Sequence, residues 1–139
     1  MVTKFKSIGI LAITAILTLG LLSFTSPKRT LDDDWVVPAK YKTMKNPEKG
    51  ADDEDEIGKS LYKKHCQSCH GKEGYGDGTK AAELKTELRD FTSSEVQGQT
   101  DGELYYKGII GKDEMPNFEK KIPSEEDRWL LINYLRTLE

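Results

Sequence analysis

The apolar positions of the chain follow two different patterns. Near the N-terminus, residues 8–24 form a stretch without charge, preceded by Lys4 and Lys6. After residue 56, apolar residues instead recur at the three- and four-residue spacing of amphipathic helices. The first pattern is typical of a signal peptide or a membrane anchor. The second predicts a small all-α domain.

Two helices delimit the predicted domain, which spans residues 57–139. The first runs from about Ile57 to Cys66, and the last begins at the N-cap Ser124. The last helix carries an apolar stripe at i, i+3, i+4 and i+7, formed by Leu131, Tyr134, Leu135 and Leu138. Gly58 lies within the first helix, where glycine costs up to about 1 kcal/mol relative to alanine. We therefore interpret Gly58 as the point at which another helix crosses closely.

The segments between these two helices carry weaker patterns. Residues 71–78 contain four glycines and predict a loop. Apolar residues at helical spacing predict a short helix over residues 80–88. The capping box from Thr100 to Glu103 opens a further helix, which we expect to end at Gly111.

The N-terminal stretch has two interpretations that the sequence leaves open. Residues 1–25 are either a signal peptide, with a poor cleavage site over residues 23–25, or a membrane anchor. Residues 8–24 would form that anchor and are slightly short for a spanning helix. In both cases the positive charge on the N-terminal side directs the rest of the chain across the membrane. We therefore expect an exported protein of the periplasm, either soluble after signal cleavage or anchored to the inner membrane.

Residues 26–56 are predicted to form an acidic, proline-containing linker. The segment has three prolines and two acidic runs, over residues 32–34 and 52–56, and it lacks helical periodicity. One apolar patch, Trp35-Val36-Val37, interrupts it. We expect this patch to pack against the domain, because an isolated exposed tryptophan is uncommon on soluble proteins. An exposed docking element is the alternative.

The candidate chemistry lies in one pentapeptide, Cys66-Gln67-Ser68-Cys69-His70, which contains both cysteines of the chain. Two thiols three residues apart, followed directly by a histidine, suit the covalent attachment of a c-type haem. Each thiol adds to one vinyl group of the porphyrin, and the adjacent imidazole is delivered to the iron. Cys66 and Cys69 are therefore the predicted haem-binding residues, and His70 is a predicted iron ligand.

Two other uses of a Cys-x-x-Cys pair fit this chain less well. A structural zinc site usually needs a second ligand pair, and the chain has no further cysteine. A redox dithiol of the thioredoxin type would follow a strand and precede a helix. The pentapeptide instead ends a helical pattern and runs into glycines.

Met115 is the candidate for the sixth iron ligand. It is the only methionine after the pentapeptide, it lies in a loop between two predicted helices, and Pro116 follows it. A thioether is a soft ligand that suits a low-spin haem. Met44, in the predicted linker, is the weaker candidate. His65, which precedes the first cysteine, is interpreted as a surface histidine.

Composition places the chain among ordinary soluble proteins with one domain and a leader. It has 139 residues, of which 36% are hydrophobic and 32% charged, and a formal net charge of −3. A mildly acidic surface argues against nucleic acid as a partner.

Over about residues 57–138 the chain resembles the class I cytochromes c. That family has a glycine eight residues, and an aromatic residue four residues, before the first haem cysteine. Gly58 and Tyr62 occupy those positions here. In the family these residues cross a C-terminal helix that carries an apolar and an aromatic residue three apart, as Leu131 and Tyr134 are.

Two further features extend the resemblance. Met115 with its following proline is similar to the sixth ligand of the family, and the glycine-rich run over residues 69–78 resembles that of small bacterial monohaem members. The resemblance implies an all-α fold whose N- and C-terminal helices cross over one covalently bound haem c. It also implies an electron carrier, not an enzyme, that cycles between Fe(II) and Fe(III) and meets redox protein partners. The alternatives are an electron-entry subunit of a larger oxidoreductase and a gas-binding sensor with a five-coordinate haem.

Overall fold

A computed structural model describes residues 35–138, and within that range the regular structure is helical, without strands. The α-helices are α1 (Ala39–Lys42), α2 (Ile57–His65), α3 (Gln67–His70), α4 (Ser94–Gln97), α5 (Asp101–Tyr105) and α6 (Glu125–Arg136). A 3₁₀ turn covers Ala81–Glu83, and α5 continues into a π-helical turn over Tyr106–Ile110. The prediction of an all-α fold is confirmed.

Predictions for residues 1–34 lie outside the described part of the chain. They comprise the signal peptide or anchor, with its apolar residues 8–24, and the first part of the linker. Between residues 35 and 138, no helix combines the length and the apolar character needed to cross a bilayer.

Helices α2 and α6 cross at Gly58. A Cβ atom at this position would overlap the carbonyl oxygen of Leu130 and would lie 3.1 Å from the Cβ of Tyr134. One turn further along α2, the ring of Tyr62 lies 5.3 Å from that of Tyr134, centroid to centroid. The predicted close crossing is confirmed. The nearest group of α6 is the Leu130 carbonyl, whereas the Leu131 side chain lies in the buried core.

The core surrounds this crossing and continues onto α5. Its fully buried side chains come from four parts of the chain and are Tyr62, Ile109, Ile122, Trp129 and Ile132. The Trp129 ring stacks at a tilt on Tyr105, with 4.4 Å between ring centroids. The apolar residues of α6 therefore pack against two helices, α2 and α5.

Side-chain caps define where three helices begin. The Asp53 carboxylate accepts hydrogen bonds from the backbone N–H groups of Ile57 and Gly58, each at 2.8 Å, so it caps α2 from outside the helix. Two predicted caps are confirmed. Thr100 forms the reciprocal capping box with Glu103 at the start of α5, and Ser124 caps α6. Local sequence chemistry therefore sets these boundaries.

Residues 35–56 differ from the predicted linker because they pack on the helical domain. The Asn46 side chain donates to the Asn133 side chain at 2.8 Å, and the Asn133 amide donates to the Glu48 carbonyl. The backbone of Tyr41 passes so close to α5 that a Cβ on Gly102 would overlap the Tyr41 carbonyl oxygen. The Tyr41 ring also packs on that of Tyr106, with 4.8 Å between centroids. Sequence patterning missed these contacts because their partners lie far away along the chain.

The apolar patch at the start of this segment packs as expected. Val37 is buried, and the Trp35 ring meets the edge of Tyr106 with 6.3 Å between centroids. Val36, between them, is 83% exposed. The preference for packing over an exposed docking element is confirmed for Trp35 and Val37.

Two other helix predictions have different outcomes. The helix that begins after Thr100 is present and ends at Gly111, where φ is +72°. The helix predicted over residues 80–88 is wrong, because only the 3₁₀ turn forms and Leu84 then adopts an extended conformation. The backbone N–H groups of Lys85 and Thr86 donate to the Glu114 side chain instead of continuing a helix.

We expect Gly58→Val to destabilise the protein by roughly 1–3 kcal/mol, because the added side chain would force α2 and α6 apart. Urea unfolding followed by circular dichroism measures the loss. Ser60→Val is the matched control, since Ser60 is exposed on the same helix. Equal stability of the Gly58 variant and the control would contradict the crossing.

We expect Gly102→Ala to detach residues 35–56 from α5, because its Cβ would overlap the Tyr41 carbonyl oxygen. Trypsin should then cleave faster after the lysines of this segment, as mass spectrometry of the fragments would reveal. Gly108→Ala is the control, since the nearest side-chain atom to a Cβ there is 3.9 Å away. Equal cleavage rates in both variants would show that the segment does not depend on this contact.

Candidate functional site

The two cysteines and His70 occupy one short helical stretch. Cys66 follows the last residue of α2, and its carbonyl accepts hydrogen bonds from the N–H groups of Cys69 at 3.1 Å and His70 at 2.9 Å. Residues spaced by three and four positions lie on the same face of a helix. The thiols are not joined in a disulfide. The structure thus brings all three predicted residues of the pentapeptide together.

The glycine-rich loop folds back and hydrogen-bonds to this helical stretch. Its N–H groups donate to successive carbonyls of α3, from Lys80 to Ser68 at 2.8 Å, from Gly78 to Cys69 at 3.0 Å and from Gly76 to His70 at 2.9 Å. The Tyr62 hydroxyl donates to the Gly71 carbonyl at 2.7 Å. Because these carbonyls all have partners, the backbone that carries the cysteines and His70 is held on two sides.

Backbone conformation and close contacts favour glycine at Gly74 and Gly76 of the loop. Gly74 and Gly76 have φ values of +86° and +78°, which favour glycine. A Cβ on Gly74 would also lie 3.1 Å from the Cβ of Phe91, whose N–H donates to the Gly74 carbonyl at 2.8 Å. The loop therefore fixes the position of Phe91 as well as that of α3.

Phe91 covers one face of the His70 imidazole. The two rings are stacked, with 4.4 Å between centroids and 18° between planes. His70 is 7% exposed, although histidine is a polar residue. Sequence analysis did not identify Phe91 as part of the site, since a single aromatic residue in a polar segment carries no signal of its own.

The electrostatic environment of His70 favours the neutral imidazole. Burial lowers its pKa to about 4, because desolvation penalises the charged form. Both ring nitrogens are buried, and neither has a hydrogen-bond partner within residues 35–138. An unsatisfied buried polar atom costs free energy. A neutral imidazole with unpartnered nitrogens is suited to bind a metal, so His70 fits the iron of a haem.

The thiols differ in their exposure. Cys66 is buried, and desolvation, with a smaller contribution from Cys69, raises the pKa of its thiol to about 12. Cys69 is half-buried. A reactive dithiol needs at least one thiol with a lowered pKa. Cys66 is therefore not a thiol of that kind.

The two candidate ligands Met44 and Met115 are both half-buried against the core, in different places. Met115 lies in the predicted loop between the π-helical turn and α6, and its N–H donates to the Lys112 carbonyl at 2.9 Å. The loop turns at Gly111, where a Cβ would lie 2.8 Å from the Pro116 carbonyl carbon. Met44 lies in the N-terminal segment against Gly102 of α5.

His65 is not the surface histidine that the sequence suggested. It is half-buried against Phe118, with 5.7 Å between ring centroids, and its Nε2 atom is buried without a hydrogen-bond partner among the described residues. Burial, then Lys64 and Lys121, lower its pKa. The interpretation failed because Phe118 comes from a distant part of the chain.

Protein side chains alone do not form a metal centre in the described part of the chain. Between residues 35 and 138, no group of three or more His, Cys, Asp or Glu side chains could hold a metal ion. The pentapeptide has one imidazole and two thiols. These groups suit a haem, in which the porphyrin supplies most of the metal ligands.

A protein-family model described as "Cytochrome C oxidase, cbb3-type, subunit III" matches residues 53–135. The chain belongs to this family of c-type cytochromes. Membership implies covalently bound haem c, and the cysteines at positions 66 and 69 of this cytochrome have the spacing of a haem-binding motif.

Two solved structures are similar to this cytochrome. A chain titled "Kuenenia stuttgartiensis reducing HAO-like protein complex Kustc0457/Kustc0458" is 33% identical with a TM-score of 0.52, and the match covers 61% of this cytochrome and 44% of that chain. "KustC0563 c-type cytochrome" is 28% identical with a TM-score of 0.50, over 59% of this cytochrome and 96% of that chain. The cytochrome thus spans less than half the length of the first chain. A comparison with curated proteins gave no match.

These similarities establish the general function. The family model and one of the two solved structures are those of cytochromes, so the chain is an electron-transfer haem protein. They also agree with the resemblance to cytochromes c that its sequence carries.

Proposed function

We propose that the cytochrome is an exported electron carrier with one haem c, attached through Cys66 and Cys69 and ligated by His70 and Met115. The observation that carries the proposal is the buried imidazole of His70, which directly follows Cys69 and has two unpartnered nitrogens among the described residues. Iron coordination would satisfy one of them. The thioether bonds would keep the cofactor against this imidazole.

Each residue of the site has a separate task in this proposal. A bound haem supplies an iron that cycles between Fe(II) and Fe(III) and so carries one electron. His70 offers a neutral imidazole, and the stacked Phe91 restrains the plane of that ring. The Met115 thioether favours the ferrous state more than a nitrogen ligand would. An iron held by both His70 and Met115 would have no open position for a substrate, so we propose a carrier and not an enzyme.

A second candidate function is an electron-entry subunit of a larger oxidoreductase. The family is named for a subunit of an oxidase. One similar solved chain belongs to a protein complex, and that chain is more than twice as long as its part that matches this cytochrome. The haem chemistry is the same in both cases. Co-purification with a larger redox enzyme from the native membrane would favour the subunit over a free carrier.

The third alternative, a gas-binding sensor, depends on Met115. A sensor would need a five-coordinate iron, with Met115 displaced from it. The hydrogen bond from Met115 to Lys112 and the turn at Gly111 give its loop a defined conformation, which supports a ligand held in place. The carrier is therefore preferred.

We further propose that the protein works on the periplasmic side of the inner membrane. The support comes from the sequence, in which residues 8–24 form an uncharged apolar stretch after two lysines. Residues 1–25 are then a signal peptide or an anchor, and the haem-bearing domain follows them, with residues 35–56 packed on it. Its redox partners would be met through a small, transient interface.

We expect the double variant Cys66→Ala, Cys69→Ala to lose covalently bound haem, because no thiol remains to add to the vinyl groups. Acid-acetone extraction should leave haem on the natural protein and remove it from the variant, and mass spectrometry should detect the haem mass only on the former. Haem that stays attached to the double variant would contradict the assignment of both cysteines.

We expect Met115→Ala to lower the reduction potential and to let carbon monoxide bind the ferrous protein, because the thioether would no longer occupy the sixth position. The weak sulfur-to-iron charge-transfer band of the ferric protein should also disappear. Absorption spectroscopy and a redox titration measure these changes.

Met44→Ala is the matched control for the ligand assignment. It removes a half-buried methionine of the N-terminal segment that packs against α5, and it should leave the band and the potential unchanged. If Met44→Ala abolishes the band while Met115→Ala retains it, the two assignments must be exchanged. If neither substitution has an effect, the iron has no methionine ligand and the sensor becomes the better proposal.

A further inference from the structure

The residue before Met115 connects the methionine loop to another part of the chain. The Glu114 carboxylate accepts hydrogen bonds from the backbone N–H of Lys85, at 3.1 Å to Oε1 and 3.0 Å to Oε2. Its Oε2 also accepts from the N–H of Thr86 at 2.9 Å. One side chain on the protein surface thus binds two consecutive backbone amides 28 and 29 residues away in sequence.

These amides are available because the chain leaves its 3₁₀ turn just before them. The turn ends at Glu83, and Leu84 is extended with φ −85° and ψ 145°. The two following N–H groups therefore have no helical acceptor. Hydrogen bonds to a carboxylate are charge-assisted and stronger than those between neutral groups.

The segment that Glu114 binds is itself attached to the histidine side of the site. Just before the 3₁₀ turn, the N–H of Lys80 donates to the Ser68 carbonyl, and the N–H of Gly78 donates to the Cys69 carbonyl. A short path of hydrogen bonds and backbone therefore runs from α3, through the 3₁₀ turn, to Glu114 and Met115.

The other contacts of the methionine loop are local or lie further along it. The N–H of Met115 donates to the Lys112 carbonyl, and the N–H of Phe118 donates to the Ile109 carbonyl at 2.8 Å. These two bonds join the loop to the preceding π-helical turn, and the Phe118 ring, three residues after Met115, packs on His65. Glu114 is the tether adjacent to Met115 that reaches the segment attached to the His70 helix.

We propose that Glu114 is a positioning residue for the sixth ligand, which holds the Met115 loop against the segment over residues 84–86 so that the thioether stays on the iron. This inference rests on the proposed function, since it needs Met115 as a ligand. Without the carboxylate the loop would keep its local turn and the contact of Phe118 with His65, but the backbone beside Met115 would lose its attachment to residues 84–86.

The test compares Glu114→Ala and Glu114→Gln with the natural protein, all as full-length holoproteins. In Glu114→Ala we expect the sulfur-to-iron band to weaken, the reduction potential to fall and the rate of carbon monoxide binding to the ferrous protein to rise at least tenfold. Glu114→Gln retains one carbonyl oxygen that can accept from the amides, so it should give intermediate values. Glu87→Ala is the matched control, because Glu87 is an exposed carboxylate in the same segment.

Each outcome decides for or against the proposal. A purely structural role would lower stability without changing the band, the potential or carbon monoxide binding, and such a result in Glu114→Ala would overturn it. If Glu114→Ala does not fold, Glu114→Gln carries the test. If Glu114→Gln and the control Glu87→Ala then both show the band, the potential and the carbon monoxide binding rate of the natural protein, the proposal is overturned as well. If the natural protein itself lacks the band, Met115 is not a ligand, so the proposed ligation fails and the positioning role fails with it.

Discussion

Helices α2 and α6 meet backbone to backbone at Gly58, and most of the arrangement of the site depends on that contact. The Leu130 carbonyl occupies the place of the missing side chain, so α2 has one direction and one distance relative to α6. Cys66 follows the last residue of α2. The crossing therefore determines where the thiols and His70 lie relative to the core, and a larger residue at position 58 would displace the cysteine pair together with the helix.

The pentapeptide is held by its backbone, which leaves its side chains available for chemistry. The glycine-rich loop and the Tyr62 hydroxyl satisfy the carbonyls from Ser68 to Gly71. The imidazole of His70 is buried and lacks protein partners in the described part of the chain. Polar groups that are buried in proteins normally have hydrogen-bond partners. An imidazole without such partners, on a backbone whose carbonyls are hydrogen-bonded, is free to bind iron and is held in position.

Residues 35–56 extend the domain beyond the part that resembles cytochromes c. They cover α5 through Tyr41 and bind α6 through the pair Asn46 and Asn133, while Asp53 caps α2. The segment thus contacts three helices of the domain. It gives this cytochrome an additional layer on α5, and the exposed Val36 lies at its start.

The sequence by itself determined the features that depend on neighbouring residues. Spacing within the pentapeptide indicated the haem chemistry, helical periodicity gave α2 and α6, and Thr100 and Ser124 marked helix starts, because caps and periodicity are local. Only the tertiary structure decided the rest. It stacked Phe91 on His70, buried His65 under Phe118, and replaced a predicted helix by amides bound to Glu114. Each of these contacts joins residues more than twenty positions apart, and a distant partner can outweigh local helix propensity.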